Sequence, residues 1–138
     1  MTAKEYLRRI RDAESDLRSA EMDYQRARDD LMNLKAIEYD KDKVRNSHIG
    51  DLSDAIAALE KYAERVNAKW DELITMREEA KERIGEIADG RYREVLYRCY
   101  LQGESWEYIA VGMGYAFRTV TWLHGRALGQ FKVPEKFA

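Results

Sequence analysis

Residues 105–128 read SWEYIAVGMGYAFRTVTWLHGRAL, and this stretch decides how the C-terminal part of the chain folds. Ser105 is a favourable N-cap, because its hydroxyl can accept a hydrogen bond from a free amide of a first helical turn. Apolar residues then recur at helical spacing and predict one buried face, formed by Ile109, Ala110 and Met113. Gly114 follows that run, where a chain leaving a helix often adopts positive φ.

A second periodic run begins directly after this glycine and predicts a second short helix. Its inward side is formed by Val120, Leu123, Ala127 and Leu128. Its outward side is formed by Phe117, Arg118, Thr121, Trp122 and Gly125. Two short helices joined by a tight turn are typical of a helix-turn-helix, whose second helix can enter a DNA major groove.

These residues resemble the region-four domain of the primary bacterial sigma factors. More closely, they resemble a family of small phage proteins, the sigma-region-four-like transcriptional regulators. The resemblance spans roughly residues 89–131. It is carried by Arg93, Val95, Leu96, Tyr100-Leu101, Gly103, Ser105-Trp106-Glu107, Ile109-Ala110, Met113-Gly114-Tyr115, Arg118-Thr119-Val120 and Leu123-His124-Gly125-Arg126-Ala127-Leu128. The upstream half is also similar to the phage family, with a charged helix, a loop at 44–47 and a second helix.

The resemblance implies sequence-specific binding of double-stranded DNA, with bacterial RNA polymerase as a second partner. Arg118 is the first candidate for base contact, because a guanidinium can bind guanine O6 and N7 bidentately. The other candidate base contacts are Thr121, Trp122 and Phe117. The alternative for Trp122 is packing against the arm or against a partner chain. The alternative for Phe117 is an apolar contact that fixes the turn. The candidate phosphate contacts, which position a reader without specifying sequence, are Ser105, Thr119, Arg126, Arg93 and His124. For Arg126 the alternative is an ion pair within the domain, and for His124 a structural role.

Five positions depart from the family pattern. Phe117 and Trp122 occupy outward positions where sigma factors more often carry polar readers. Ala116 stands where a Ser or Thr usually caps the recognition helix. Tyr108 replaces the Glu that would complete a capping box with Ser105. Gly112 lies inside the first helix of the motif, at a cost of about 1 kcal/mol relative to Ala.

The first 88 residues predict a long antiparallel hairpin of two helices, at about 3–38 and 51–88. In the first helix a heptad repeat is formed by Ile10, Leu17, Tyr24 and Leu31, with Tyr6, Ala13, Ala20, Ala27 and Leu34 as its second core position. Residues 40–50 are polar and predict a loop, after which Asp51 or Ser53 would cap the second helix. The predicted fold class is therefore all-α, with a coiled-coil-like arm at 1–88, a small three-helix domain at 89–131 and an irregular tail at 132–138.

The apolar stripe of the second helix is wider than one partner helix can cover. Its main set repeats every seven residues from Leu52 to Ile87, and it is flanked on one side by Ile56, Ala63, Trp70 and Ile84. We therefore expect a homodimer through the hairpin, which would also suit a DNA reader that needs paired half-sites.

Composition narrows the class of protein. The net charge is −2, but residues from 89 onward hold seven Lys/Arg against five Asp/Glu, so the small basic excess lies where the DNA reader is predicted. No apolar run approaches the ~20 residues of a membrane span, and no signal peptide is evident, so a cytoplasmic protein is expected. Cys99 is the single cysteine and is expected to be a buried thiol. No nucleophile motif or phosphate-binding loop is present, so we expect no enzyme, no cofactor and no metal site.

A second function class stays open. In this alternative the protein is a coiled-coil adaptor whose helix-turn-helix contacts a protein partner. The outward Phe117 and Trp122 and the nearly neutral charge favour it.

Overall fold

The computed structural model describes residues 1–39 and 46–138, with the side chains of 1–37 and 50–138. The described residues form five α-helices, and none of them lies in a strand, so the predicted all-α class is confirmed. The helices are α1 (Ala3–Tyr39), α2 (Asn46–Gly85), α3 (Gly90–Leu96), α4 (Trp106–Met113) and α5 (Phe117–Gln130). A π-helical turn, Tyr97–Leu101, continues α3, and a 3₁₀ turn, Glu135–Phe137, lies near the C-terminus. No described helix is both long and apolar enough to cross a membrane.

The first two helices contact each other as a long hairpin, as predicted. Ion pairs join Glu14 to Arg77 and Asp23 to Arg65. The residue later in α1 pairs with the residue earlier in α2, so the two helices are antiparallel. The heptad positions of α1 explain the contact. The buried ones are Tyr6, Ile10, Ala13, Leu17, Ala20, Ala27 and Leu31. Tyr24 and Leu34 are partly exposed.

The capping box predicted at the start of α1 is present. The Thr2 hydroxyl accepts from the Glu5 amide at 3.1 Å, and the Glu5 carboxylate accepts from the Thr2 amide at 3.0 Å.

The predicted bounds of α2 were wrong at both ends. Residues 40–45 of the predicted loop lie outside the described residues, but α2 already begins at Asn46, so Asp51 and Ser53 lie inside the helix and cap nothing. The helix ends at Gly85 rather than at residue 88. The physical reason is the next N-cap: Asp89 is extended and accepts from the Arg91 amide at 2.8 Å, which starts α3.

The described chain divides into two compact units. The C-terminal unit comprises residues 1–14 and 73–138, and the hairpin unit comprises residues 15–72. An independent domain boundary at residue 88 stays a prediction. Residues from 1–14 and from 73–138 together form the core of the C-terminal unit. Its side chains that are nearly inaccessible to solvent include Leu7, Ile10, Leu73, Val95, Leu96, Ile109, Val120 and Leu123.

The tail is irregular at residues 132–134, as predicted, but residues 135–137 form the 3₁₀ turn and the tail is held in place. Phe137 lies in the 3₁₀ turn, and its ring centre is 5.5 Å from that of Tyr6. The Arg9 guanidinium lies over the Phe137 ring, 4.2 Å from its centre. Its carbonyl accepts from the Met1 ammonium at 3.1 Å, and Lys136 pairs with Glu79 at 2.6 Å. Aromatic contacts tie the tail to the first turns of α1, and charge-assisted bonds tie it to Met1 and to Glu79 of α2.

Candidate nucleic-acid interface

The turn between α4 and α5 has the geometry that the sequence predicted. Ser105 is extended, and its hydroxyl accepts from the Tyr108 amide at 3.2 Å. Gly114 has φ 73° and ψ 31°, the left-handed conformation in which a side chain would be strained. The Tyr115 amide then donates to the Ala110 carbonyl at 3.0 Å, which closes the end of α4.

The inner face of α5 is fixed by apolar packing. Val120, Leu123 and Ala127 are fully buried, whereas Leu128 is partly exposed. On the opposite side Arg118 is exposed and forms no ion pair with any described residue. Trp122 is 54% exposed, and the Arg126 guanidinium lies 5.3 Å from its ring centre. For Arg126, this cation–π contact replaces the ion pair that the sequence left open.

The entry to α5 lacks a side-chain cap. Ala116 has the extended backbone of an N-cap residue, φ −69° and ψ 153°, but offers no hydrogen-bond acceptor. Phe117 is 48% exposed, so a turn-fixing role leaves about half of its surface open to a ligand. Thr119 is partly exposed. Thr121 is only half-exposed, and its hydroxyl donates to the Arg118 carbonyl at 2.9 Å, which leaves it an acceptor toward a ligand.

His124 is partly buried against two aromatic residues, which favours its structural alternative over the candidate phosphate contact. Its Nε2 lies 2.8 Å from the Tyr100 hydroxyl, and its ring meets that of Trp106 edge-on at 4.7 Å. Burial, together with the charges of Lys4 and Arg11, lowers the pKa of His124 to about 4. The neutral imidazole brings no positive charge to a phosphate at neutral pH, and the phosphate contact of His124 stays a prediction.

The arginines of α3 and the π-helical turn are also held internally. The Arg93 guanidinium donates to the carbonyls of Ile87 and Ala88 at 2.6 and 2.8 Å, so it closes the chain end that follows α2 rather than pointing to a ligand. Arg98 pairs with Glu94 at 2.8 Å and with Glu104 at 2.9 Å. Arg98 also explains Gly112: a Cβ there would lie 2.3 Å from Arg98 Nη1.

One basic group beside this site was missed by the sequence analysis. Lys4, Arg8 and Arg11 lie on one face of α1, at i, i+4 and i+7, and belong to the C-terminal unit. Arg11 Nη2 donates to the carbonyl of Cys99 at 2.9 Å. Their spacing was visible in the sequence, but only the contact of Arg11 with the π-helical turn connects this face of α1 with the helix-turn-helix.

The hairpin unit has a groove of about 500 Å³, lined by Asp23, Asp30, Asp51 and Asp54 together with Arg26 and Tyr62. Among the described residues, no group of His, Cys, Asp and Glu has the arrangement of a metal site. Cys99 is buried, as predicted, and burial raises the pKa of its thiol.

The chain matches no model of a known protein family, no curated protein and no solved structure.

Proposed function

We propose that this protein is a phage-type transcriptional regulator that binds specific double-stranded DNA by inserting α5 into the major groove. The observation that carries the proposal is the asymmetry of α5, whose inner face is buried while its outer face presents an unpaired Arg118 beside an exposed Trp122. Such a regulator acts in the cytoplasm of a bacterial host.

Arg118 lies in the first turn of α5, and the N-terminal residues of a recognition helix are those that reach base edges. Its guanidinium would donate to guanine O6 and N7, while Trp122 would make apolar contact with a base or a thymine methyl. Thr121 retains an acceptor for a base edge. The Ser105 hydroxyl and Thr119 would bind phosphates, which fixes the register of the reader.

The cations of the C-terminal unit that form no ion pair support DNA binding better than the net charge of the unit does. Arg77, Arg91, Arg98 and Lys136 are each paired with a carboxylate of the same unit. Arg118 and Arg126, on the outer face of α5, have no such partner among the described residues. Two of the cations left to attract phosphate therefore lie on the proposed reader itself.

A homodimer through the hairpin unit is part of the proposal. Ile56 and Trp70 are 43% and 41% exposed, lie fourteen residues apart on one face of α2, and have the small Ala63 midway between them. A two-fold antiparallel pairing about Ala63 would place each Trp70 against the other copy's Ile56. Two copies would then read two half-sites.

The adaptor function remains the second candidate, because α4 also has an exposed apolar surface. Tyr108 and Val111 are 65% and 84% exposed and adjacent on the helix. Such a surface suits a protein partner of an adaptor. If the protein is a regulator, the same surface would suit RNA polymerase.

The test of the proposal is Arg118→Ala on a cognate site found by selection from a random duplex pool. The variant should lose about 1–3 kcal/mol of binding free energy and relax the base preference at one position. Arg28→Ala, an exposed arginine of the hairpin unit, is the matched control and should change neither. Equal binding by both variants would remove Arg118 from the reader, and no binding of any duplex by the folded wild type would favour the adaptor.

A further inference from the structure

The charges at the start of α1 are not balanced locally. Residues 1–14 contain four Lys/Arg against three acids. Glu5 completes the capping box with Thr2, Glu14 pairs with Arg77, and Asp12 forms no ion pair with a described residue. Lys4 and Arg8 are exposed, and neither forms an ion pair with a described residue. Two unneutralised cations therefore lie one helical turn apart on the surface of the C-terminal unit.

These cations are fixed relative to the helix-turn-helix by a chain of contacts. Arg11, on the same face of α1, donates to the Cys99 carbonyl at 2.9 Å, and its guanidinium lies 5.7 Å from the Tyr100 ring. The Tyr100 hydroxyl is 2.8 Å from His124 of α5, which in turn meets Trp106 at the start of α4. The charge of Lys4 adds to burial in lowering the pKa of His124, which supports the closeness of the two elements.

Exposed cations beside a base-reading helix have a defined use. Phosphate contacts supply most of the sequence-independent affinity for DNA, and the outer face of α5 itself offers only Arg118 and Arg126. We propose that Lys4 and Arg8 of α1 bind the phosphate backbone of the same duplex whose bases α5 reads. This inference rests on the proposed function, and it makes the first turns of α1 part of the DNA interface rather than part of the dimerising arm.

The test compares the full-length wild type with Lys4→Gln/Arg8→Gln on the selected duplex and on a scrambled duplex of equal length, over a range of salt concentrations. Loss of two phosphate contacts should weaken binding to both duplexes alike, on the order of tenfold near 0.1 M salt. It should reduce the slope of log K against log[salt] by about 2, with the base preference unchanged.

Two further variants separate this from a general charge or folding effect. Arg18→Gln/Arg28→Gln removes two exposed cations from the part of α1 in the hairpin unit and should bind like wild type. Lys4→Arg/Arg8→Lys keeps both charges and should also bind like wild type. If the two side chains acted only through their packing, this exchange of shapes would be expected to change binding. If Lys4→Gln/Arg8→Gln binds like the Arg18/Arg28 variant while wild type reads its site, the inference is wrong and the proposed function stands. If folded wild type binds neither duplex, both are overturned.

Discussion

His124 shows how one buried residue makes the C-terminal unit sensitive to pH. Its pKa in the folded protein is about 4, whereas the ordinary value is 6.5. As the pH falls below 6.5 the unfolded chain binds this proton before the folded one does, so the stability contributed by the neutral imidazole is lost progressively between pH 6.5 and 4.

We predict that the His124 imidazole titrates with a midpoint near pH 4 in the folded protein. The measurement is the chemical shift of its ring protons by NMR against pH, with the signal assigned by its disappearance in His124→Gln. Between pH 6.5 and 4 the free energy of unfolding of this variant should fall less than that of the wild type. The fall that remains is due to protonation of carboxylates. A midpoint at 6.5 would contradict the burial of this ring.

Residues with local partners were predictable from the sequence, and residues with distant partners were not. Ser105 and Gly114 act through amides within a few positions, so their N-cap and left-handed roles could be inferred. His124 bonds a residue 24 positions away, and Arg93 binds carbonyls of the preceding turn. In both cases the residue type allowed a phosphate contact. For His124 only the fold reveals the distant partner, whereas the partners of Arg93 are five and six residues away and depend on the shape of the turn after α2.

At the scale of an element, Gly112 in α4 is explained by the side chain that packs against it. An alanine Cβ would lie 2.3 Å from Arg98 Nη1 and 2.9 Å from its Cζ, and Glu94 and Glu104 both hold that guanidinium. We predict that Gly112→Ala lowers the free energy of unfolding by about 1 kcal/mol, because overpacking outweighs the helix propensity gained.

The control for Gly112 is Gly129→Ala in α5, where nothing lies within 4 Å of the added Cβ. This change should raise the free energy of unfolding by about 0.5–1 kcal/mol. Urea denaturation of the two variants gives the comparison. Equal stabilisation by both would show that Arg98 moves aside at little cost.

A second prediction for an element concerns the uncapped start of α5. Ala116 already has the extended backbone of an N-cap residue, so Ala116→Ser should supply the missing acceptor and stabilise the protein by about 1 kcal/mol. Ser105→Ala, which removes the cap of α4, should destabilise it by a similar amount. Thermal unfolding followed by circular dichroism measures both. A destabilising Ala116→Ser would mean that the α5 entry cannot accept a cap.

Both long helices were predicted correctly, and so were the ends of α1, predicted at about 3–38 and observed at Ala3–Tyr39, but the ends of α2 were not. The heptad of α1 fixed its buried face, because apolar periodicity reports packing over many turns. The start of α2 at Asn46 was not predicted, because residues 46–50 resemble a polar loop in sequence and yet form the first turn of the helix. Element boundaries depend on a few weak local preferences, which packing of the remaining helix overrides.

At the scale of the whole molecule, the unpaired stripe on α2 predicts self-association. Trp70→Glu should convert a dimer into a monomer, because a charge at an apolar contact would be desolvated without a partner. Ala68→Glu, at an exposed position on another side of α2, is the control and should leave the dimer intact. Light scattering at micromolar concentration measures the mass. A monodisperse wild-type monomer would contradict the dimer.

The distribution of charge over the molecule was only partly visible in the sequence. The C-terminal unit has fourteen Lys/Arg against twelve Asp/Glu, and the hairpin unit has ten against fourteen. Counting along the chain assigned Lys4 and Arg8 to the acidic arm, whereas the fold includes them in the C-terminal unit. Long-range packing of residues 1–14 could not be read from periodicity, because a heptad does not reveal which further element lies beside it.

The most direct test of the central claim is selection of the full-length protein against a random duplex pool at near-physiological salt. We predict enrichment of one motif, repeated with two-fold symmetry if the dimer reads paired half-sites. A folded protein that enriches no sequence, alone or with bacterial RNA polymerase added, would contradict the claim that α5 reads DNA.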